Sequence, residues 1–267
     1  MLKSDSGEKQ QYYQKKIAPF QSKIKDLLRK EESILAECRG DPATAAVKLF
    51  FLAERMLNIA SNCLVINGIG LAIFNTKDEE ALGEAKKFYS KALIYLENIV
   101  TGKLDAPFSD YEEMLAELNP VYIVQRYNLV KKLGLTCSLL KIAYGDNTKW
   151  RWVFVDMEGL CATVSKNLLD LKKAQANNDP SSPDYEPLIY HAHLVKTMLN
   201  NSADRFYARY SLSTKRAEDM RKAINFLAAL NRIHTTLNER SDAEDVKKKM
   251  ESWQNMLEIS LKKDASK

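Results

Sequence analysis

The sequence predicts an all-α protein: a helical bundle or helical-repeat-like array of about eight mostly antiparallel helices. Turn-forming residues are scarce, with 9 glycines and 7 prolines in 267 residues, whereas sheet proteins need frequent turns. No segment alternates apolar and polar residues as a half-buried strand does. Hydrophobic residues at 45% and charged residues at 28% are ordinary for a folded globular chain. The length permits one domain with a large core, so we predict a single domain over residues 1–267.

Helix-start signals divide the N-terminal half of the chain into segments. The predicted helices span residues 8–38, 41–74, 76–100, 109–118 and 119–144. In the first, apolar residues recur at steps of three and four, and Pro19 either kinks the helix or marks its start. Two starts combine a capping residue with a following proline, namely Asp41-Pro42 and Asn119-Pro120. Two others have the spacing of a capping box, namely Thr76 with Glu79 and Ser109 with Glu112.

The C-terminal half continues the helical pattern. The predicted helices here span residues 148–176, 183–210, 217–237 and 241–261. Thr148 is the expected cap of the first of these, and Ser241 with Glu244 forms another capping-box pair. The segment NNDPSSPDYEP at 177–187 is the clearest loop, because it is rich in Asn, Ser and Pro. It is the only candidate for a weak subdomain boundary.

One segment, residues 56–76, carries no charge and is long enough to span a bilayer. Polar side chains interrupt it at Asn58, Ser61, Asn62, Asn67 and Asn75. Each amide would need a hydrogen-bond partner inside hydrocarbon, which disfavours insertion. We therefore predict a central core helix and no membrane span.

Cysteine usage and the N-terminal composition predict a cytoplasmic location. The cysteines are widely separated and form no CxxC pair: Cys38, Cys63, Cys137 and Cys161. Such spacing is typical of reduced thiols that pack as small apolar groups. The first residues, MLKSDSGEKQQYYQKK, lack the apolar core of a signal peptide.

Charge is distributed unevenly along the chain, although the net charge is only +5. Residues 40–120 carry a net charge of −5, and residues 121–176 carry +5. The simpler interpretation is that these segments attract one another within the fold. The functional interpretation is a bipolar surface that orients a partner.

Motifs of catalysis and cofactor binding are missing from the sequence. It contains no phosphate-binding glycine loop, no GxSxG and no HExxH. His191 and His193 are two residues apart, so a helix points their rings to different sides, whereas two ligands on one face need a spacing of three or four. We predict no metal, no cofactor and no catalytic residue, and we lean against an enzyme.

Two groups of residues are candidate sites. The first is an Arg/Tyr cluster, whose side chains cannot all face inward on one helix: Arg205, Tyr207, Arg209 and Tyr210. Interleaved basic and aromatic side chains can bind a partner protein or stack on nucleic acid. The second is a candidate buried polar site at Asn58 and Asn62, because buried amides require partners. Hydrogen bonds between helices would satisfy these amides equally well.

Three functions remain open. The leading hypothesis is a non-catalytic protein-protein interaction or scaffold module, which predicts an exposed apolar or aromatic patch. The alternative is a nucleic-acid or polyanion-binding protein with a basic, aromatic helical face and strongly salt-dependent binding. The second alternative is an enzyme or small-ligand carrier whose site lies between helices.

Overall fold

The computed structural model describes residues 2–40, 44–145, 150–177 and 179–265, and all regular structure within these ranges is helical. This confirms the all-α prediction. The helices are α1 Leu2–Gly40, α2 Ala45–Phe74, α3 Glu79–Glu97, α4 Glu112–Ala116, α5 Ile123–Tyr144, α6 Trp150–Asn167, α7 Leu171–Ala176, α8 Tyr185–Arg209, α9 Ala217–Thr236 and α10 Arg240–Ala265. A 3-10 turn, Phe108–Asp110, precedes α4, and a π-helical turn, Tyr210–Thr214, follows α8.

Several helix boundaries differ from the sequence prediction. The cap of α3 is Asp78 rather than Thr76, because the Asp78 carboxylate accepts a hydrogen bond from the backbone N–H of Ala81 at 2.9 Å. The helix predicted over 148–176 is wrong in its second half, where α6 ends at Asn167 and Asp170 caps the separate helix α7. The helix α1 continues through Pro19. The predicted starts at Asp41-Pro42 and Thr148 lie outside the described residues.

The chain divides into two compact units, and the division does not fall at 177–187. The first unit contains residues 1–99 and 132–150, and the second contains residues 100–131 and 151–267. The helix α5 therefore begins in the second unit and ends in the first. The loop at 177–187 lies inside the second unit. That the chain is a single domain stays a prediction.

In the first unit, α2 packs against both α1 and α3, and α1 also contacts α3. The Tyr13 hydroxyl donates a hydrogen bond to Asp78 at 2.6 Å, near the start of α3. Further along both helices, the buried carboxylate of Glu31 accepts a hydrogen bond from Tyr95 and pairs with Lys91 at 2.6 Å. Because the two contacts follow in the same order on both helices, α1 and α3 run parallel.

The helix α2 is long and apolar enough to cross a membrane by length and composition, the one such helix among the described residues. Of its most apolar 18-residue window, 44% is buried within the structure. Its buried side chains include Phe50, Leu52 and Met56. Core helices pass the same test of hydropathy. The absence of a membrane span stays a prediction.

In the second unit, α8 and α9 pack antiparallel. Arg209 at the end of α8 pairs with Asp219 at the start of α9, and the rings of Phe206 and Phe226 stack with centroids 5.4 Å apart. The helix α6 approaches α8 closely at Gly159, where an added Cβ would lie 2.8 Å from the Phe206 ring. A side chain there would collide with a packed aromatic ring, so the close approach requires glycine.

Buried side chains of α5 and α6 hold the irregular segment 100–122 in the second unit. Asn167 donates hydrogen bonds to the carbonyls of Thr101 and Lys103, and Lys166 donates to two further carbonyls of the same segment, both at 3.1 Å. Arg126, which is 1% exposed, donates to the carbonyl of Leu118. These contacts satisfy backbone groups that helical hydrogen bonds cannot reach.

Candidate functional site

The C-terminal half of α5 exposes an aliphatic stripe. We call it the α5 stripe, and its members are Leu135, Leu139 and Ile142, which are 59%, 42% and 73% exposed. Their spacing of four and three residues places them on one side of the helix, and Ser138 is exposed beside them. Scattered surface leucines are ordinary, but a continuous apolar stripe on the solvent side of a helix marks an interaction surface.

The stripe lies on a basic helix. The helix α5 contains no Asp or Glu, and its charged residues are Arg126, Lys131, Lys132 and Lys141. Lys132 is engaged inside the first unit, where its ammonium group donates a hydrogen bond to Asn58 at 2.5 Å and pairs with Glu54 at 3.4 Å. Lys131 is exposed on the same helix, so a partner with carboxylates around an apolar face would meet complementary charge there.

Sequence reasoning did not single out the α5 stripe. The opposite side of the same half-helix is also apolar, with Leu133, Cys137 and Leu140 buried. A helix that is apolar on all sides gives no periodic signal that distinguishes the buried side from the exposed side. The only available signal was the lack of charged residues between Lys132 and Lys141.

The structure places Arg209, the centre of the predicted Arg/Tyr cluster, in the interior of the second unit. Its guanidinium group pairs with Asp219 and Asp156, both at 2.6 Å, and its side chain is 10% exposed. Burial alone lowers the pKa of Arg209, but the hydrogen bonds to the two carboxylates raise the pKa above its usual value. Burial alone raises the pKa of Asp219, whereas hydrogen bonds from Thr214 and Arg209 lower it. The contacts of Arg209 are those of a buried structural ion pair.

The other three members of the cluster also contact the second unit. Arg205 pairs with Glu158 at 3.1 Å. The ring of Tyr207 stacks on Trp253, with centroids 4.6 Å apart. Tyr210 is partly buried against the hydrophobic core. Binding of a partner by these side chains stays a prediction, and their internal contacts give a structural reason for the pattern.

The predicted polar site at Asn58 and Asn62 lies in the first unit, and both amides have partners there. The Asn62 side chain donates to the carbonyl of Asn58 at 2.6 Å, one helical turn earlier. The Asn58 side chain accepts the hydrogen bond from Lys132. Each amide therefore has one partner within the protein, and a polar site at these residues stays a prediction.

A buried histidine lies in the second unit. His191 is 1% exposed, and its Nε2 lies 3.1 Å from the carbonyl oxygen of Ser165. The pKa of His191 is lowered to about 4, mainly by burial; the hydrogen bond to the Ser165 carbonyl opposes the change and the charge of Arg126 adds to it. The ring is therefore neutral at physiological pH, and it serves the core rather than acid-base chemistry.

A second histidine lies among charged groups where α9 meets α10. His234 Nδ1 lies 2.6 Å from a carboxylate oxygen of Glu239, which also pairs with Lys196 at 2.6 Å. His193 and His234 line the same pocket of about 460 Å³. The sequence separates these histidines by more than forty residues, so spacing alone did not bring them together.

Comparisons with known proteins assign the chain to a family. Neither the curated proteins nor the solved structures contain a match to the chain. A family model, TP0443, matches residues 9–260, which is nearly the whole sequence. The chain therefore belongs to the TP0443 family.

Proposed function

We propose that the protein is a non-catalytic interaction module that binds an amphipathic helix of a partner protein through the α5 stripe. The observation that carries this proposal is the exposure of Leu135, Leu139 and Ile142 in one continuous row. Helix-in-groove recognition uses anchors at this same spacing on the partner helix. The partner helix presents leucine or isoleucine on one face and carboxylates on its flanks, because α5 is basic and carries no acid.

The size of the stripe sets the expected affinity. Full burial of one leucine or isoleucine contributes roughly 1.5 to 3 kcal/mol, and the three side chains are already partly covered. Association costs several kcal/mol in lost freedom, which offsets much of this gain. Micromolar binding needs a net gain of about 8 kcal/mol, so the surface is suited to a transient partner with a dissociation constant weaker than micromolar.

A designed peptide provides the test. The probe is a fluorescent, stabilised helix of about 20 residues with leucines at i, i+3, i+4 and i+7 and glutamates on both flanks. Fluorescence anisotropy should show saturable binding to the wild-type chain at protein concentrations of about 0.1 to 1 mM. Ile142→Ser should weaken binding by about tenfold or more, since it removes the most exposed anchor.

Matched controls distinguish binding by the α5 stripe from nonspecific hydrophobic binding. Ile259 on α10 is 55% exposed, so Ile259→Ser removes a comparable surface group and should leave peptide binding unchanged. A scrambled peptide of the same composition should not bind. No binding of the designed peptide, or equal weakening by both substitutions, would overturn the proposal.

Two further arms test other occupants of the same surface. Vesicles containing phosphatidylserine test an anionic membrane, and single-stranded DNA at two salt concentrations tests a polyanion. Preferential binding of either one, lost in Ile142→Ser, would replace the partner helix. Sedimentation of the chain alone tests a second copy, and a dimer abolished by Ile142→Ser would likewise contradict the proposal.

A further inference from the structure

Three side chains that commonly bind metal ions converge where α9 passes into α10. His234 lies in the last turn of α9, Glu239 in the connecting turn and Asp242 in the first turn of α10. One ligand atom from each lies within 4.8 Å of the others. The turn is well defined, because Asn238 adopts a left-handed conformation with φ of 59° and the Glu239 N–H donates to the His234 carbonyl at 2.9 Å.

We propose that His234, Glu239 and Asp242 form a binding site for a divalent transition-metal ion such as Zn²⁺. One imidazole and two carboxylates form a ligand set that these ions accept. In a tetrahedral site two ligand atoms at about 2.1 Å from one ion are about 3.4 Å apart, so separations of up to 4.8 Å must contract by about 1.4 Å. Asp242 is exposed, and rotation of its side chain can supply that movement.

The surroundings leave room for further ligands of the ion. His234 is 8% exposed and rests on the core, which fixes the position of its ring. The pocket of about 460 Å³ beside it is lined by His193, Asn200 and Asp245, among other residues. Three protein ligands beside an open pocket leave coordination positions for water or a small ligand. His193 of α8 is the nearest candidate for a second imidazole ligand, since it lines the same pocket.

Lys196 competes with the ion for Glu239. Its ammonium group lies 2.6 and 2.8 Å from the two Glu239 carboxylate oxygens. A metal ion at this place must loosen that ion pair and would repel the ammonium charge. Removing the ammonium group should therefore strengthen metal binding.

Titration of the purified full-length chain with Zn²⁺, against a chromophoric chelator, tests the site. We expect one ion per chain, with the affinity reduced on the order of 100-fold by His234→Gln or Asp242→Asn. Lys196→Met should raise the affinity by about tenfold, because the competing ammonium is lost. Visible absorption of the Co²⁺ form reports a nitrogen-containing coordination sphere directly.

Asp245→Asn is the matched control, because Asp245 lines the same pocket but lies outside the cluster. If Asp245→Asn weakens the Zn²⁺ affinity as much as Asp242→Asn does, the proposal is wrong. It is also wrong if the wild type binds Zn²⁺ no more tightly than His234→Gln. An unchanged or lower affinity in Lys196→Met would also contradict it. Asp242 is exposed, so Asp242→Asn carries the test even if His234→Gln fails to fold. This inference is independent of the α5 stripe.

Discussion

The two units of the molecule differ in what they bury and in what they expose. The first unit buries few polar side chains, namely Glu31, Asn62, Asn67 and Thr136, and it exposes the α5 stripe. The second unit buries a larger polar set: Arg126, Thr163, Ser165, Lys166, Asn167, His191, Ser202, Arg209, Asp219 and His234. Basic residues predicted to face a partner are engaged inside the second unit, while three aliphatic residues of α5 face solvent in the first.

The difference shows that residue type alone does not indicate which groups are available to a partner. Arg209 has the chemistry of a binding anchor, but two carboxylates already neutralise it. Ile142 has the chemistry of a core residue, but it is 73% exposed. Changes in charge and pH should therefore strongly lower the stability of the second unit. Substitutions along the α5 stripe should leave the stability of the first unit nearly unchanged.

The largest expected effect is the loss of the buried ion pair in the second unit. Arg209→Met leaves the Asp219 carboxylate buried without its guanidinium partner, which should lower the free energy of unfolding by about 3 to 5 kcal/mol. Arg205→Met is the control, since Arg205 pairs with Glu158 in a more exposed setting, and it should cost about 1 kcal/mol. Urea unfolding measures both. Equal, small effects would mean that Arg209 is not a structural residue.

Acid should destabilise the second unit through His191. The pKa of His191 is about 4 in the folded chain and 6.5 for the ordinary side chain. Between these values the unfolded chain binds a proton that the folded chain does not, so stability falls as the pH falls from 6.5 to 4. The contribution of this group is about 3 kcal/mol over that window.

The variant His191→Gln isolates this contribution from titrating carboxylates. Its free energy of unfolding should depend less on pH between 4 and 6.5 than that of the wild type. His193→Gln changes an exposed histidine two residues further along and should keep the wild-type dependence. A wild-type slope in His191→Gln would place the acid sensitivity elsewhere.

A smaller effect is expected where α6 holds the irregular segment of the second unit. Asn167→Ala removes the hydrogen bonds to the carbonyls of Thr101 and Lys103 and should cost about 2 kcal/mol. Thr101 has a φ of 106°, which is strained for a β-branched residue, so its amide hydrogens should exchange faster once the contact is lost. Thermal unfolding measures the loss of stability, and hydrogen exchange measures the change at Thr101. Asn128→Ala changes an exposed residue of α5, so it should neither lower the stability nor speed the amide exchange.

The smallest effect on stability should come from the α5 stripe. Ile142→Ala should change the free energy of unfolding by less than about 0.5 kcal/mol, since the side chain is mostly in water. Leu140→Ala, two residues earlier on the buried side of the same helix, should cost about 2 to 5 kcal/mol. If the two substitutions cost the same, Ile142 is covered in the folded chain and the proposed surface is absent.

Helix starts could be predicted well where a single residue sets them and poorly where side chains compete. The helix α9 begins at Ala217, which is the predicted start. The start of α3 was predicted at the wrong cap, because Thr76 and Asp78 both have the chemistry of a cap and only the structure shows that Asp78 accepts the hydrogen bond. The break after Asn167 was not predicted, although Asp170 has the chemistry of a cap and its carboxylate accepts a hydrogen bond from the backbone N–H of Lys173 at 2.9 Å.

The candidate sites were less predictable than the helices. The Arg/Tyr cluster was visible in the sequence, but its carboxylate partners Asp156 and Glu158 lie on a different helix. The three groups around His234 come from a helix end, a turn and the next helix, so no regular spacing connects them. The α5 stripe lacks any periodic signal because both sides of the half-helix are apolar.

The sequence by itself determined the helical class, most of the helix extents and the apolar character of α2. These properties follow from local preferences and short-range periodicity, which depend on residues within a few turns of one another. Only the tertiary structure decided which polar groups are paired inside, where His234, Glu239 and Asp242 meet and which side of α5 faces water. Those outcomes depend on contacts between distant segments, and no local pattern encodes which of two apolar sides will find a neighbour.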